Sequence, residues 1–430
     1  MRFRDFHRNV KIRISVSFAF GIVQSTTMPF MAIYFAHNFG ESLTGLTLAA
    51  GIVASVLSGA VGGYYADRVG RRNIMMWAEA VFLLAYLAMA IANSPQVNAP
   101  VVTLAAFLVT NVCWGVYGPA DDAMLLDVTT AENRQTMYGI FYWINNLTMA
   151  IGTSVGAFLF ESHRFALFAA MSLVVLATWL STVFLLQETY VPSAKAREAI
   201  HPVRGMFRSY RRVLGDRAFV RYILAGLCAM YGEFQLQNYI GIHLAKTVPV
   251  QSLFSFSQFT LSVDGVRLLG WLQTENTILV VLLVTLATRI IQGRSERGIL
   301  FVAVLLQTLG YSVITVTSMP LVALIAMLFA TIGEVTGVSV RQAYLGDLAP
   351  EDARSAYVAV NGMTFQGTRL LTSLAVALGA VVPAWGMALI CLVLGIGGML
   401  LYQSVVEEAR ARRTGFAGVQ TKSENAVVPQ

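Results

Sequence analysis

Charge is what this sequence has least of. Only 12% of its 430 residues are Asp, Glu, Lys or Arg, against the ~25% that keeps a soluble globule wetted. Hydrophobic residues make up 56% and mean hydropathy is +0.64, so much of the exterior must face lipid rather than water. A cytosolic enzyme, a disordered chain and a nucleic-acid binder are excluded. Cysteine is scarce too: Cys113, Cys228 and Cys391 all lie in apolar runs, which implies no disulfide framework. No Gly-Lys-Ser/Thr phosphate loop occurs, so no cofactor is expected and a proton gradient, not ATP, is the implied energy source. No Cys/His spacing suggests a metal.

What is present is a series of apolar runs. A bilayer-crossing helix needs ~20 such residues. Runs near 14–36, 43–66, 73–93, 101–128, 135–160 and 165–187 form one group of six. A second group lies near 218–244, 271–291, 299–317, 320–345, 356–382 and 385–405. The expectation is an all-α integral membrane protein of twelve spans in two six-helix bundles. The divisions read as 1–187 for the first bundle, 188–217 for a linker, 218–407 for the second bundle and 408–430 for a loose polar tail. The linker is charged and carries Pro192 and Pro202, with an amphipathic stretch over Val203–Leu214 suited to the membrane surface. The first span is too long for a cleavable signal peptide and leads directly into the next.

Basic residues orient the bundle and explain the net charge of +7. They cluster before span 1 (Arg2 to Arg13), after span 2 (Arg68, Arg71, Arg72), in the linker, and after span 8 (Arg289, Arg294, Arg297). The opposite loops hold only Arg164, Lys246 and Arg267. By the positive-inside rule both ends and the linker are cytoplasmic, which suits a bacterial inner membrane.

The two halves also resemble each other. Ala123, Asp127, Glu132 and Arg134 at the end of span 4 match Ala343, Asp347, Asp352 and Arg354 at the end of span 10, 220 positions on. Equal loop polarity makes this a parallel duplication about an axis along the membrane normal.

After span 2 comes Gly63-Tyr-Tyr-Ala-Asp67-Arg68-Val-Gly70-Arg71-Arg72. Small residues permit a tight turn, and the acid and bases can form charge-assisted pairs with neighbouring helix ends. Arg71 and Arg72 alone would pass as topology anchors; the whole spacing closely resembles the loop 2–3 signature of the major facilitator superfamily. The resemblance implies two bundles rocking about a central site. It also implies that Asp67 and its arginines pair with helix ends such as Asp127 as a cytoplasmic latch. Within the superfamily, Ala131-Glu132-Asn133-Arg134, Tyr142-Trp143-Ile-Asn145-Asn146-Leu147 and Gly333-Glu334 resemble the lactococcal-type drug/proton antiporters.

An ionisable group at bilayer depth costs at least ~2.5 kcal/mol on insertion scales, so each such group is a functional candidate. Glu233, Glu334 and Arg369 lie mid-span. Asp121, Asp122 and Arg341 lie in inner halves of spans and read as an inner gate. Glu334 is expected to carry the coupling proton, with Glu233 as a second carboxyl; the alternative is a permanent structural pair of Glu334 with Arg369 or Arg341. Gln366 and Phe365 share the face of Arg369, and Tyr142, Asn145 and Asn146 lie on the equivalent face of span 5. With Gln237 and Gln24 they are candidates for a central cavity, though Asn145, Asn146 and Gln366 equally suit interhelical hydrogen bonding.

The leading functional reading is proton-coupled efflux of lipophilic cationic or zwitterionic compounds. The alternative is a proton-coupled transporter of one defined small solute, importer or exporter. In either case the partners are substrate, protons and the bilayer, the chain works as a monomer, and no nucleic acid is involved.

Overall fold

The computed structural model describes residues 6–129, 131–188, 211–256, 259–291, 294–350 and 354–425. Most of the linker, including residues 203–210 of its amphipathic stretch, lies outside these residues.

The first half consists of α1 (Arg8–Thr27), a tight turn over Met28–Phe30, α2 (Met31–Phe39), α3 (Glu41–Val69), α4 (Arg71–Ala92), α5 (Pro100–Asp127), α6 (Ala131–Leu159) and α7 (Arg164–Phe184). Pro29 lacks an N–H and divides the first span into α1 and α2. The second half consists of α8 (Arg217–Gln235), an irregular stretch over Leu236–Ile240, α9 (Gly241–Thr247), strands β1 (Gln251–Phe256) and β2 (Phe259–Val263), α10 (Gly265–Ile291), α11 (Glu296–Val316), α12 (Pro320–Leu348), α13 (Arg354–Gly379) and α14 (Ala384–Asn425).

Among the described residues nine helical spans are long and apolar enough to cross a membrane. The segments α6, α8 with α9, and α13 complete the twelve; these three carry many of the polar candidates named above, which lowers their mean hydropathy. The packing repeats between halves. In the first half α4 packs on α5 and α7, and α1 on α7; in the second, α11 packs on α12 and α14, and α8 on α14. Interhelical contact in lipid relies on close packing and polar pairs rather than on expulsion of water. The second-half core packs Phe219, Tyr222, Tyr344, Tyr357 and Tyr402 among Val, Leu and Ala side chains. The first-half core sets Phe20, Phe82 and Tyr117 edge-on to Trp114.

Three local features differ from the sequence reading. The chain after span 7 pairs as an antiparallel hairpin, with Ser252 opposite Ser262 and Ser255 opposite Thr260. Its aromatic and β-branched alternation suits strands better than a plain loop. The polar stretch after Glu407 continues α14 as helix to Asn425, and within it Arg412 bonds Glu408 one turn back. Finally, α1 starts at Arg8, so Arg13 is a helix residue only 3% exposed and not an interfacial anchor.

The compact units do not coincide with the sequence halves. One comprises Met1–Ile200, Gln237–Ile278 and Thr372–Val382; the other comprises His201–Leu236, Leu279–Leu371 and Pro383–Gln430. Inside the first unit, Thr274 of α10 shares a 2.6 Å hydrogen bond with Ser154 of α6, and Lys246 of α9 pairs with Glu41 of α3 at 2.5 Å.

Candidate functional site

Within the second unit, Glu233 occupies the last turns of α8 and Glu334 the middle of α12. Each follows a glycine. A side chain at Gly232 would meet the Cβ of Tyr311, and one at Gly333 would meet the Ala303 carbonyl and the Gln307 amide nitrogen. Two glycines thus let α11 approach both carboxylates closely. Glu334 is near enough to repel Glu233, and Arg341 near enough to attract it. Tyr311, 1% exposed, faces both acids from α11. Gln307 on the same helix donates from Nε2 to Glu233 Oε2 at 3.4 Å, while its buried Oε1 has no hydrogen-bond partner among the described residues. Arg341 has a buried Nη1 with no such partner, and its backbone carbonyl accepts from the Tyr222 hydroxyl at 2.9 Å. Arg369 donates to Gln366 at 3.4 Å. Phe365 sits edge-on to Phe234, ring centroids 4.7 Å apart, beside Glu233 in the chain.

Within the first unit a second buried charge cluster comes together. Arg13 of α1 grips Asp121 of α5 with two nitrogens, Nε at 2.7 Å and Nη2 at 2.8 Å. Glu79 of α4 lies 3.9 Å from Arg13 Nη1 and is 2% exposed. Arg13 also stands over the Tyr117 ring, 5.3 Å from its centroid. Asp121, expected at an inner gate with Arg341, is therefore the partner of Arg13; its neighbour Asp122 is exposed. Sequence reasoning missed Glu79, Arg13 and also Glu275 of α10, whose Oε2 is buried without a hydrogen-bond partner. Glu79 and Glu275 are acids inside apolar runs, the same signal that marked Glu233.

The loop motif between α3 and α4 contacts the neighbouring helix ends. Arg71 forms an ion pair with Asp127 and donates to the Ala123 carbonyl. Arg72 donates to the Thr182 carbonyl at 3.1 Å and to that of Val183. Glu188 caps α4 by accepting from the backbone N–H groups of Arg71 and Arg72 at 3.3 and 3.0 Å. Arg68 stacks over the Tyr64 ring at 4.0 Å. Gly63 lies in the last turns of α3, and Gly70 joins α3 to α4 with φ of 102°; the side chain of Asp67 lies outside the described residues. The second unit has its own knot. Arg412 holds Asp216 at 2.8 and 3.0 Å, and the Tyr357 hydroxyl donates to Asp216 at 2.8 Å. Burial pushes the Asp216 carboxyl up, but hydrogen bonds from Arg412, Tyr357 and the Phe219 N–H outweigh it and hold the group below its ordinary range.

Other candidates are dispersed. Gln237 falls in the irregular stretch after α8 and is exposed, so it is not one regular turn from Glu233. Asn145 and Trp143 are exposed, while Asn146 and Gln24 are half-buried. The Tyr142 side chain lies outside the described residues.

Long apolar helical spans that carry ionisable side chains within them point to a multi-pass membrane transporter. The chain belongs to the major facilitator superfamily, whose sequence profile matches residues 14–372. It is 30% identical over 387 residues, 88% of this chain and 91% of the relative, to a Na(+), Li(+), K(+)/H(+) antiporter of Planococcus maritimus. A multidrug resistance protein, MdtH, of Edwardsiella ictaluri is 25% identical over 201 residues, covering 46% of each chain. Among solved structures, a POT family transporter in complex with 5-aminolevulinic acid superposes with a TM-score of 0.74 at 13% identity, covering 96% of this chain and 98% of its own. The fold is therefore that of the superfamily, as the Gly63–Arg72 motif implied.

Proposed function

We propose that the protein is a proton-coupled antiporter that exports monovalent cations, with Glu334 as the coupling carboxyl and Glu233 as its partner. The observation that carries this reading is the pair itself: two acids close enough to repel each other, with Arg341 as the neighbouring cation. Like charges in a water-poor site cannot both stay ionised cheaply, so one proton or one cation settles there. Proton and substrate then compete for the same negative charge, which is what antiport requires. The whole-length similarity to an alkali-cation/proton antiporter supports this class of cargo. The aromatic pair Phe234–Phe365 beside Glu233 favours lipophilic organic cations as a second cargo set, in keeping with the more distant multidrug relative. Transport of one carboxylate-bearing solute through Arg369 is the second reading. It rests on that arginine's mid-span position, with Gln366 as its hydrogen-bond partner.

The Arg71–Asp127 pair, with Asp67, Arg68 and Gly70, acts as a latch on the cytoplasmic side of the cell membrane, where both termini lie. Everted membrane vesicles carrying a pH gradient test the assignment. Addition of Na+, K+ or ethidium should collapse the gradient with wild type and fail to do so with Glu334→Gln. Undiminished exchange in that variant would remove Glu334 from the coupling step.

A further inference from the structure

The Glu233–Glu334 reading makes no use of the first unit's buried cluster, and the inference below does not depend on that reading. Arg13 is permanently cationic. Nη2 donates to Asp121 Oδ2 at 2.8 Å and Nε lies 2.7 Å from Oδ1 as an ion-pair contact, while Nη1 has no hydrogen-bond partner among the described residues and faces Glu79 Oε1 at 3.9 Å. Among the described residues no well-aligned hydrogen bond reaches either buried Glu79 oxygen, and only the neutral hydroxyls of Thr182 and Tyr117 stand close to them. The groups facing Glu79 are Arg13 from α1, Thr182 from α7, and Asp121 and Tyr117 from α5. Arg13 is the one cation among those groups, and it cannot neutralise two carboxylates at once. An unpaired carboxylate away from water is the costly alternative, so Glu79 rests as the neutral acid while Arg13 is committed to Asp121. Asp121 differs in access: its side chain is 19% exposed and it adjoins the exposed Asp122.

We propose that Arg13, Asp121 and Glu79 form a second cation–proton exchange site, in which a monovalent cation bound at Asp121 frees Arg13 to pair with Glu79, whose proton leaves. The balance closes. The cation replaces Arg13 on Asp121, the Glu79 O–H bond breaks heterolytically, and Arg13 gains the carboxylate it has just created. One positive charge enters and one departs, so the cluster's net charge is unchanged and no charge is left buried and unpaired. Loading from the other direction, by a proton returning to Glu79, sends Arg13 back to Asp121 and expels the cation.

The test uses the purified full chain in weakly buffered detergent with a pH indicator, in the background Glu233→Gln/Glu334→Gln so that the other carboxyl pair is silent. NaCl and tetraphenylphosphonium chloride are added in separate arms, with choline chloride as the ionic-strength control. Expected is release of about one proton per chain in at least one arm, abolished by adding Glu79→Gln; the responding arm identifies an alkali or an organic cation. Release that persists with Glu79→Gln, or no release in either arm, overturns the proposal. An infrared difference spectrum of the unmutated chain gives an independent reading: the stretch of a protonated carboxyl should disappear on cation addition and be missing in Glu79→Gln. That variant, isosteric with the neutral acid, should melt at the wild-type temperature. A lowered melting temperature with an unchanged carboxyl band would show a purely structural Glu79 and would also overturn the proposal.

Discussion

Each sequence half brings an arginine near two carboxylates inside its spans, Arg13 with Asp121 and Glu79 in the first and Arg341 with Glu233 and Glu334 in the second, and the two sets are arranged differently. In the first half Arg13 holds Asp121 by one hydrogen bond from Nη2 and a close ion-pair contact from Nε, with Glu79 further off at 3.9 Å. In the second half the Gln307 amide donates to Glu233 at 3.4 Å, and Arg341 lies nearly two turns along α12 from Glu334. The same inventory thus yields a tight pair with a spare acid in one place and two mutually repelling acids in the other. The Arg13–Asp121 contact ties one end of α1 to α5, whereas Glu233 takes its hydrogen bond from a neutral amide of α11.

The sharpest way to break this contrast is Arg13→Leu. It strips the cation from Asp121 and should cost about 3–5 kcal/mol, as removal of one partner from a buried ion pair does; thermal unfolding in detergent measures it. Glu334→Gln should do the reverse, leaving the melting temperature close to wild type while lowering gradient-driven exchange at least about tenfold, equivalent to about 1.4 kcal/mol in the barrier. A large stability loss in that variant would mean the second-half acids are as structural as Asp121. Gln307→Leu removes the amide that donates to Glu233 Oε2. Stability should fall by about 1–3 kcal/mol, read by thermal unfolding in detergent.

The smallest expected effect is at the Asp216–Arg412 knot. Because the Asp216 carboxyl is held below its ordinary range by Arg412 and Tyr357, its contribution is complete above the unfolded value of ~3.9. It is lost as pH falls through the lower folded value. Asp216→Asn should therefore lower the melting temperature slightly at neutral pH and flatten its decline on acidification. An unaltered acid slope would show that the knot carries no linked proton.

Much of this was legible from the chain alone. Span count, the loop motif and the acids at 233 and 334 all follow from one rule: lipid tolerates neither charge nor bare backbone without cause. The same rule applied to the run around Trp77–Val81 marks Glu79, which is easily passed over because its neighbours are uniformly apolar. Arg13 was obscured by its company: four other bases precede it, and only the start of α1 at Arg8 reveals it as a helix residue. Its partner Asp121 lies 108 positions away, a separation no local pattern encodes. The glycines before both second-half glutamates were visible as a repeated Gly-Glu pair. Their purpose, admitting α11, is a property of packing alone.

The stretch between α8 and α9 has a mechanical consequence. Asn238 leaves helical geometry at φ −118°, ψ −109°, and its side-chain amide reaches Thr372 of α13 at 3.3 Å. A helix whose ladder is already open at one point can flex there without rupturing further main-chain bonds, so this joint is where the seventh span can bend at least expense. Amide exchange at residues 236–240 should accordingly outpace that of the flanking turns, and a cross-link fixing Asn238 to Thr372 would be expected to slow transport while leaving cation affinity intact.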